Sequence, residues 1–92
     1  MTVDILRSMA TMADKVNDSF VSPPLSVEAR RAGAVLVGRA GGVVVCKEIP
    51  WNSLGKIEPC AVIETVMAEL PVEMPYYWRD LKQERLTEGE NA

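Results

Sequence analysis

The apolar residues of this chain are densest in its middle. Val35–Val37 precede a glycine-containing link, Gly38–Gly42, and Val43–Val45 follow it. Two short β-rich runs around such a link are typical of a β-hairpin, and glycine supplies the positive φ that the turn needs. Neither run alternates between apolar and polar residues. We therefore expect helices of the same chain to cover one face of the hairpin and a second copy or a partner protein to cover the other.

Apolar residues at helical spacing flank this stretch on both sides. Residues 2–18 predict an N-terminal helix. Residues 59–70 predict a second helix, and Pro59 suits its first position, where a missing N–H does no harm. A last helix is predicted from about residue 75 to residue 87, with Gly89 beyond it as a stop.

Residues 33–37 are open to two interpretations, helix or strand, which decide the fold class. In either case a short helix is expected over residues 26–32, with Ser26 as its N-cap. If that helix continued to Val37, the chain would be all-α, although Gly33 inside the helix would cost about 1 kcal/mol. We predict an α+β fold: an N-terminal helix, a central β-hairpin and two C-terminal helices, with all-α as the alternative. Residues 1–92 form a single small domain, with residues 88–92 as a frayed tail.

The charge of the chain is small but unevenly distributed. The net charge of −3 argues against general affinity for nucleic acid or for anionic membranes. The middle of the chain is nevertheless basic, because residues 29–47 contain Arg30, Arg31, Arg39 and Lys47 and no acid. These arginines are the candidates for an anion or nucleic-acid contact.

The chain contains neither a signal-peptide core nor a run of roughly 20 apolar residues that could span a bilayer. We therefore expect a cytoplasmic protein without a membrane partner. In that compartment Cys46 and Cys60 are expected to be free, buried thiols.

Side chains typical of catalysis or metal binding are scarce. The chain has no histidine, which removes the commonest general base and the commonest metal ligand. Its two cysteines, fourteen positions apart, have no further ligands at metal-binding spacing. We predict no catalytic residue, no metal and no cofactor. Any part in catalysis would be that of a small subunit lending residues to a larger partner.

An aromatic group near the C terminus is the best candidate for a partner-binding surface. Tyr76, Tyr77 and Trp78 are consecutive and precede Arg79, and these residue types are enriched at interface hot spots. Three adjacent helical residues span about 200° of arc, so they cannot all face one core. Either one side chain is exposed, or the helix is covered on two sides.

These patterns favour a non-catalytic protein–protein interaction protein. It would act as a homo-oligomer, or as an accessory, assembly or inhibitory subunit of a larger complex. One alternative is a small-ligand or phosphate-binding module that uses Gly38–Gly42 and Arg39. A weaker alternative is a nucleic-acid-binding regulator that uses Arg30, Arg31 and Arg39.

Overall fold

The chain folds as helices packed against one side of an antiparallel sheet. The structure is a computed structural model that describes the backbone of residues 2–91 and the side chains of residues 4–85. The elements, in chain order, are α1 (Thr2–Asn17), β1 (Leu25–Ala29), β2 (Gly33–Ala40), β3 (Val43–Pro50), a 3₁₀ turn (Leu54–Lys56), α2 (Pro59–Ala68) and α3 (Trp78–Asn91). The predicted α+β class is confirmed, and the all-α alternative is wrong.

The central hairpin forms where the glycines predict it. β2 and β3 pair antiparallel, and the pair Ala40↔Val43 closes the turn. Gly41 and Gly42 both have positive φ, 55° and 82°. That combination is typical of a two-residue type I′ turn, whose twist matches that of the flanking strands.

The prediction of a helix over residues 26–32 is wrong, because the first part of this segment belongs to the strand β1. β1 pairs antiparallel with β2, from Leu25↔Gly38 to Ala29↔Ala34. Its sequence alternates, so that Leu25 is buried while Ser26 and Glu28 are exposed, which is the period of a strand at a sheet surface. The alternation of apolar and polar residues therefore predicted the structure of this segment better than the suitability of Ser26 as an N-cap.

The side chain of Asn17, the last residue of α1, holds the start of β1. Its Nδ2 donates to the carbonyl oxygen of Leu25 at 2.8 Å, and its Oδ1 accepts from the N–H of Leu25 at 3.0 Å. The backbone N–H and C=O groups of Leu25 thus both have hydrogen-bond partners while the residue is in an extended conformation. The helix end therefore helps to decide that the following segment is a strand.

The inner face of the sheet, the side that faces the helices, carries the core. The strand order is β1-β2-β3, so β2 is central. Gly38 of β2 marks the inner side, because a Cβ there would lie 2.5 Å from Cγ1 of Val66 and 2.9 Å from Cδ1 of Leu70. Sheet and helix residues form one apolar cluster, which includes Leu25, Ala34, Leu36, Ile49, Met9, Met12, Val16, Ile63, Val66 and Met67.

The last helix is held to the domain by the side chains of Trp78 and Leu81 and by two ion pairs. Trp78 is buried in the core, and Lys82 and Arg85 pair with Glu64 and Glu58 at 3.3 and 3.1 Å. The helix continues to Asn91, so the stop predicted at Gly89 is wrong. A glycine inside a helix costs only about 1 kcal/mol relative to alanine. The side chains of residues 86–92 lie outside the described residues, and the frayed tail stays a prediction.

Close approach of α2 to the sheet makes Gly38 a sensitive position. We expect Gly38→Ala to lower the free energy of unfolding by about 1–3 kcal/mol, because the new methyl group overlaps Val66 and Leu70. Gly55→Ala is the matched control, since nothing lies within 4 Å of the Cβ added there. Urea denaturation followed by circular dichroism measures both changes. Equal stability of the two variants would contradict this packing.

Candidate interaction surface

The outer face of the sheet, which points away from the helices, is the candidate functional site. Alternation along the strands assigns to it Ser26 and Glu28 of β1, Val35, Val37 and Arg39 of β2, and Val44, Cys46 and Glu48 of β3. In the described part of the chain, the apolar cluster formed with the helices contains none of these residues. The Cα extents of 36 × 32 × 17 Å are those of a flat slab.

The outer face has four cross-strand rows, of which the last, Gly33 with Pro50, lies beyond the candidate site. The pairing register places Ser26, Val37 and Cys46 in one row, Glu28, Val35 and Glu48 in a second, and Arg39 and Val44 in a third. Neighbouring rows are two residues apart, or about 7 Å along the strands. The apolar centre therefore has an acidic row on one side and Arg39 on the other.

The apolar part of this face is only half covered. Val35 and Val37, on the central strand, are 3% and 2% exposed. Val44 is 59% exposed, and Cys46 is exposed as well. A sheet with one solvated face normally shows polar residues there. β2 instead carries aliphatic side chains on both faces, as the notably continuous run Val35–Val37 predicts.

The charges of the outer face are separated along the strands. Arg39 is exposed near the hairpin turn, and Glu28 and Glu48 are exposed nearer the opposite end, where Arg30 also lies beside Glu28. Nε of Arg30 donates to Oε2 of Glu28 at 3.1 Å, and this hydrogen bond raises the pKa of Arg30. Glu48 has no ion pair within 4.0 Å among those found in the described residues.

The predicted aromatic group is divided between the core and the surface. Trp78 is buried, whereas Tyr76 is 96% exposed. The hydroxyl of Tyr77 donates to the carbonyl oxygen of Lys15 at 2.6 Å, and its ring packs edge-on against Tyr76 with centroids 5.4 Å apart. The structure thus leaves one ring exposed, and Tyr76 and Arg79 are at the surface. A role for this group in partner binding stays a prediction.

The three candidate arginines do not lie together. Arg30 and Arg31 follow β1, and their carbonyl oxygens accept hydrogen bonds from Nε1 of Trp51 at 3.1 and 3.0 Å. Arg39 lies at the other end of β2, about 20 Å away for six residues of strand. A single phosphate therefore cannot contact both ends.

The predicted phosphate cradle is largely occupied by the fold itself. The N–H of Arg39 donates to the carbonyl oxygen of Pro24 at 2.8 Å. Gly38 faces Val66 and Leu70, and Gly41 and Gly42 form the tight turn. The segment thus has few free N–H groups for an anion, although anion binding by Arg39 itself stays a prediction.

A groove of about 260 Å³ lies between α1 and α3, with a lining of mixed charge. Asp4 and Glu84 line it together with Arg7, Lys15 and Arg85. The guanidinium of Arg85 is already paired with Glu58. Because acids and bases are interspersed, this groove does not select a ligand of one charge.

The two cysteines differ in environment, which corrects the expectation that both are buried. Cys60 is buried at the start of α2, and Cys46 is exposed on the edge strand. Burial, assisted by the nearby carboxylate of Glu58, raises the pKa of Cys60 to about 11. Among the described residues, no three histidine, cysteine or acidic side chains are grouped as metal ligands.

Comparison with models of protein families, with curated proteins and with solved structures found no match. Within the part of the chain that the structure describes, no helix combines the length and the apolar character needed to cross a membrane.

Tyr77 is expected to stabilise the fold as well as lie at the surface. Tyr77→Phe removes the hydrogen bond to Lys15 and should lower the free energy of unfolding by about 0.5–1.5 kcal/mol. Tyr76→Phe is the control, because it removes a hydroxyl from the exposed neighbour. Thermal or urea unfolding measures both variants, and an unchanged stability of Tyr77→Phe would contradict this role.

The cysteines should differ in reactivity and in their effect on stability at high pH. Iodoacetamide at pH 8 should modify Cys46 in the native protein and Cys60 only after unfolding, as read by mass spectrometry. The raised pKa of Cys60 favours its neutral thiol in the folded state. The contribution of the neutral Cys60 thiol to the free energy of unfolding is therefore fully present below pH 9. It is lost as the pH rises from about 9 to about 11. Cys60→Ala should weaken this pH dependence, and an unchanged dependence would contradict it.

Proposed function

We propose that this protein is a non-catalytic protein–protein interaction module and that the outer face of the sheet is its binding surface. The observation that carries the proposal is the group of three valines, Val35, Val37 and Val44, that lies outside the helix-covered core, with Val44 59% exposed. Removing such apolar area from water is worth roughly 25 cal/mol per Å². A protein partner of flat, apolar shape is the occupant that gains most from this surface.

Several features of the face resemble those of protein interfaces. Its centre is aliphatic, and its charged residues, Glu28, Arg39 and Glu48, lie at its ends. Specific interfaces have the same arrangement, with an apolar core depleted in charge and a polar rim. The face lies on a sheet, so it presents its side chains at fixed spacings.

Enzymatic activity has little support in the same residues. A nucleophile, a base and a site for a reacting atom must lie within hydrogen-bond reach of one another. Cys60 is buried with a raised pKa, which disfavours the thiolate that would act as nucleophile. Cys46 lies between Val37 on the neighbouring strand and solvent, and its row contains no base.

A charge introduced into the face tests the proposal. Val44→Glu should weaken association with any protein bound there by at least about tenfold, because the carboxylate would be buried against apolar surface. Val21→Glu is a matched control, since Val21 is a fully exposed valine in the loop before the sheet. Circular dichroism should show the same fold for both variants.

The association itself is read with a photo-crosslinking amino acid at position 44 or at position 21, in cells that express the protein. Crosslinks from position 44, to a second copy or to a distinct protein, that are absent at position 21 and lost on competition with the unlabelled protein are expected. The absence of any such crosslink, together with equal behaviour of Val44→Glu and Val21→Glu, would refute the proposed function.

A further inference from the structure

We infer that the occupant of the outer face is a second copy of this chain, packed face to face with its strands antiparallel to those of the first. This inference rests on the proposed function and adds the identity of the partner and its orientation. The two-fold axis would lie in the interface, along the row formed by Ser26, Val37 and Cys46.

Charge complementarity decides the orientation. A two-fold rotation about that row places the row of Arg39 over the partner's row of Glu28, Val35 and Glu48. Arg39, on the central strand, then lies above the partner's Val35, between the partner's Glu28, which is already paired with Arg30 of its own chain, and the partner's Glu48, for which no ion pair within 4.0 Å is found in the described residues. The same contact repeats at the other end of the face, as an isologous interface requires. With the axis along the strands instead, the two Arg39 side chains would lie at the same end and repel each other.

The apolar centre fits this arrangement as well. The rotation brings Val37 over the partner's Val37 and Cys46 over the partner's Cys46, so the most apolar row of the face is covered by itself. Val37 is 2% exposed within one chain, so it gains little further cover, and Val44, which is 59% exposed, lies over the partner's Glu48. Aligned sheets pack about 10 Å apart and within about 30° of parallel, which leaves room for one layer of valine side chains from each copy.

Pairing through the sheet edges is less favourable than pairing through the face. β3 is an edge strand, and Lys47 points from it toward the inner side, where it is exposed. The strand ends at Pro50, and the other edge strand, β1, has only five residues. An inward-pointing charge, a proline and a short strand are the devices by which proteins protect edges from pairing.

The size of the face predicts a weak, reversible dimer. Three strands about 4.8 Å apart and eight residues at about 3.4 Å each give a face of about 14 by 27 Å. Two such faces together cover roughly 750 Å², which is below the range of about 1,200–2,000 Å² for stable specific interfaces. The dimer should therefore dissociate on dilution, and sedimentation velocity over a dilution series measures its dissociation constant.

Two complementary charge reversals test the arrangement. Arg39→Glu and Glu48→Arg should each raise the dissociation constant of the dimer by at least about tenfold, because like charges then face each other. Within one chain these residues are four positions apart along the sheet, about 13 Å, so they cannot form a pair internally. Both are exposed, and both variants should fold.

An equimolar mixture of the two variants should regain an affinity near that of the native protein, since each glutamate at position 39 then meets an arginine at position 48. Lys56→Glu is the matched control, because it makes the same charge change in the 3₁₀ turn, which packs against α1. A short bismaleimide should also link Cys46 to the partner's Cys46 in the native dimer, and Cys46→Ser should abolish the linkage.

The other outcomes overturn the inference in distinguishable ways. A native dimer that tolerates both charge reversals, or a mixture that stays monomeric, would overturn the antiparallel arrangement. A native protein that stays monomeric at every concentration would overturn self-pairing altogether. In that last case a specific crosslink from position 44 to a different protein would leave the proposed function standing, and its absence would refute both.

Discussion

The structure depends on the central strand β2, which is aliphatic on both of its faces. Because side chains alternate along a strand, Leu36 must point to one side when Val35 and Val37 point to the other. Leu36 is fully buried in the core with α1 and α2. Strand alternation therefore places the two valines on the outer face, independently of how the helices pack. One layer of helices can cover only one side of a sheet, so the outer face is a direct consequence of three consecutive aliphatic residues in a strand.

The helical layer is positioned by a second constraint, the close approach at Gly38. A side chain at this position would overlap Val66 and Leu70. With only a hydrogen there, the end of α2 can lie directly on the central strand, and Pro71 approaches Gly41 beside the turn. The register of the sheet and the position of α2 are thus coupled, and the orientation of the inner face fixes that of the outer face.

Proximity along the chain proved a poor guide to shared surfaces. Tyr76, Tyr77 and Trp78 are adjacent, yet one is exposed, one donates a hydrogen bond to α1 and one is buried. The outer face shows the converse: its residues are separated in sequence but adjacent in space, because its rows join residues of different strands. A search for clusters in sequence finds the aromatic group and misses the rows, which only the strand register reveals.

By itself, the sequence determined much of the architecture. Paired glycines between aliphatic runs specified the hairpin, helical spacing specified α1 and α2, and continuous aliphatic character indicated a sheet needing cover on both sides. Each of these signals is local, so it survives without knowledge of the rest of the chain. The strand β1 also had a local signal, the alternation over Leu25–Ala29. Ser26, a suitable N-cap residue, favoured a helix for the same segment, and that prediction was wrong.

Tertiary structure alone decided which side of each element is buried and which residues meet. The pairing of β1 with β2 joins residues of consecutive strands, from Ala29↔Ala34 to Leu25↔Gly38, and is helped by the Asn17 side chain at the end of α1. The same pairing separates Arg30 and Arg31 from Arg39, and it exposes Cys46 while α2 buries Cys60. Periodicity gives the faces of an element but not its neighbours, because the neighbours are set by non-local pairing and packing.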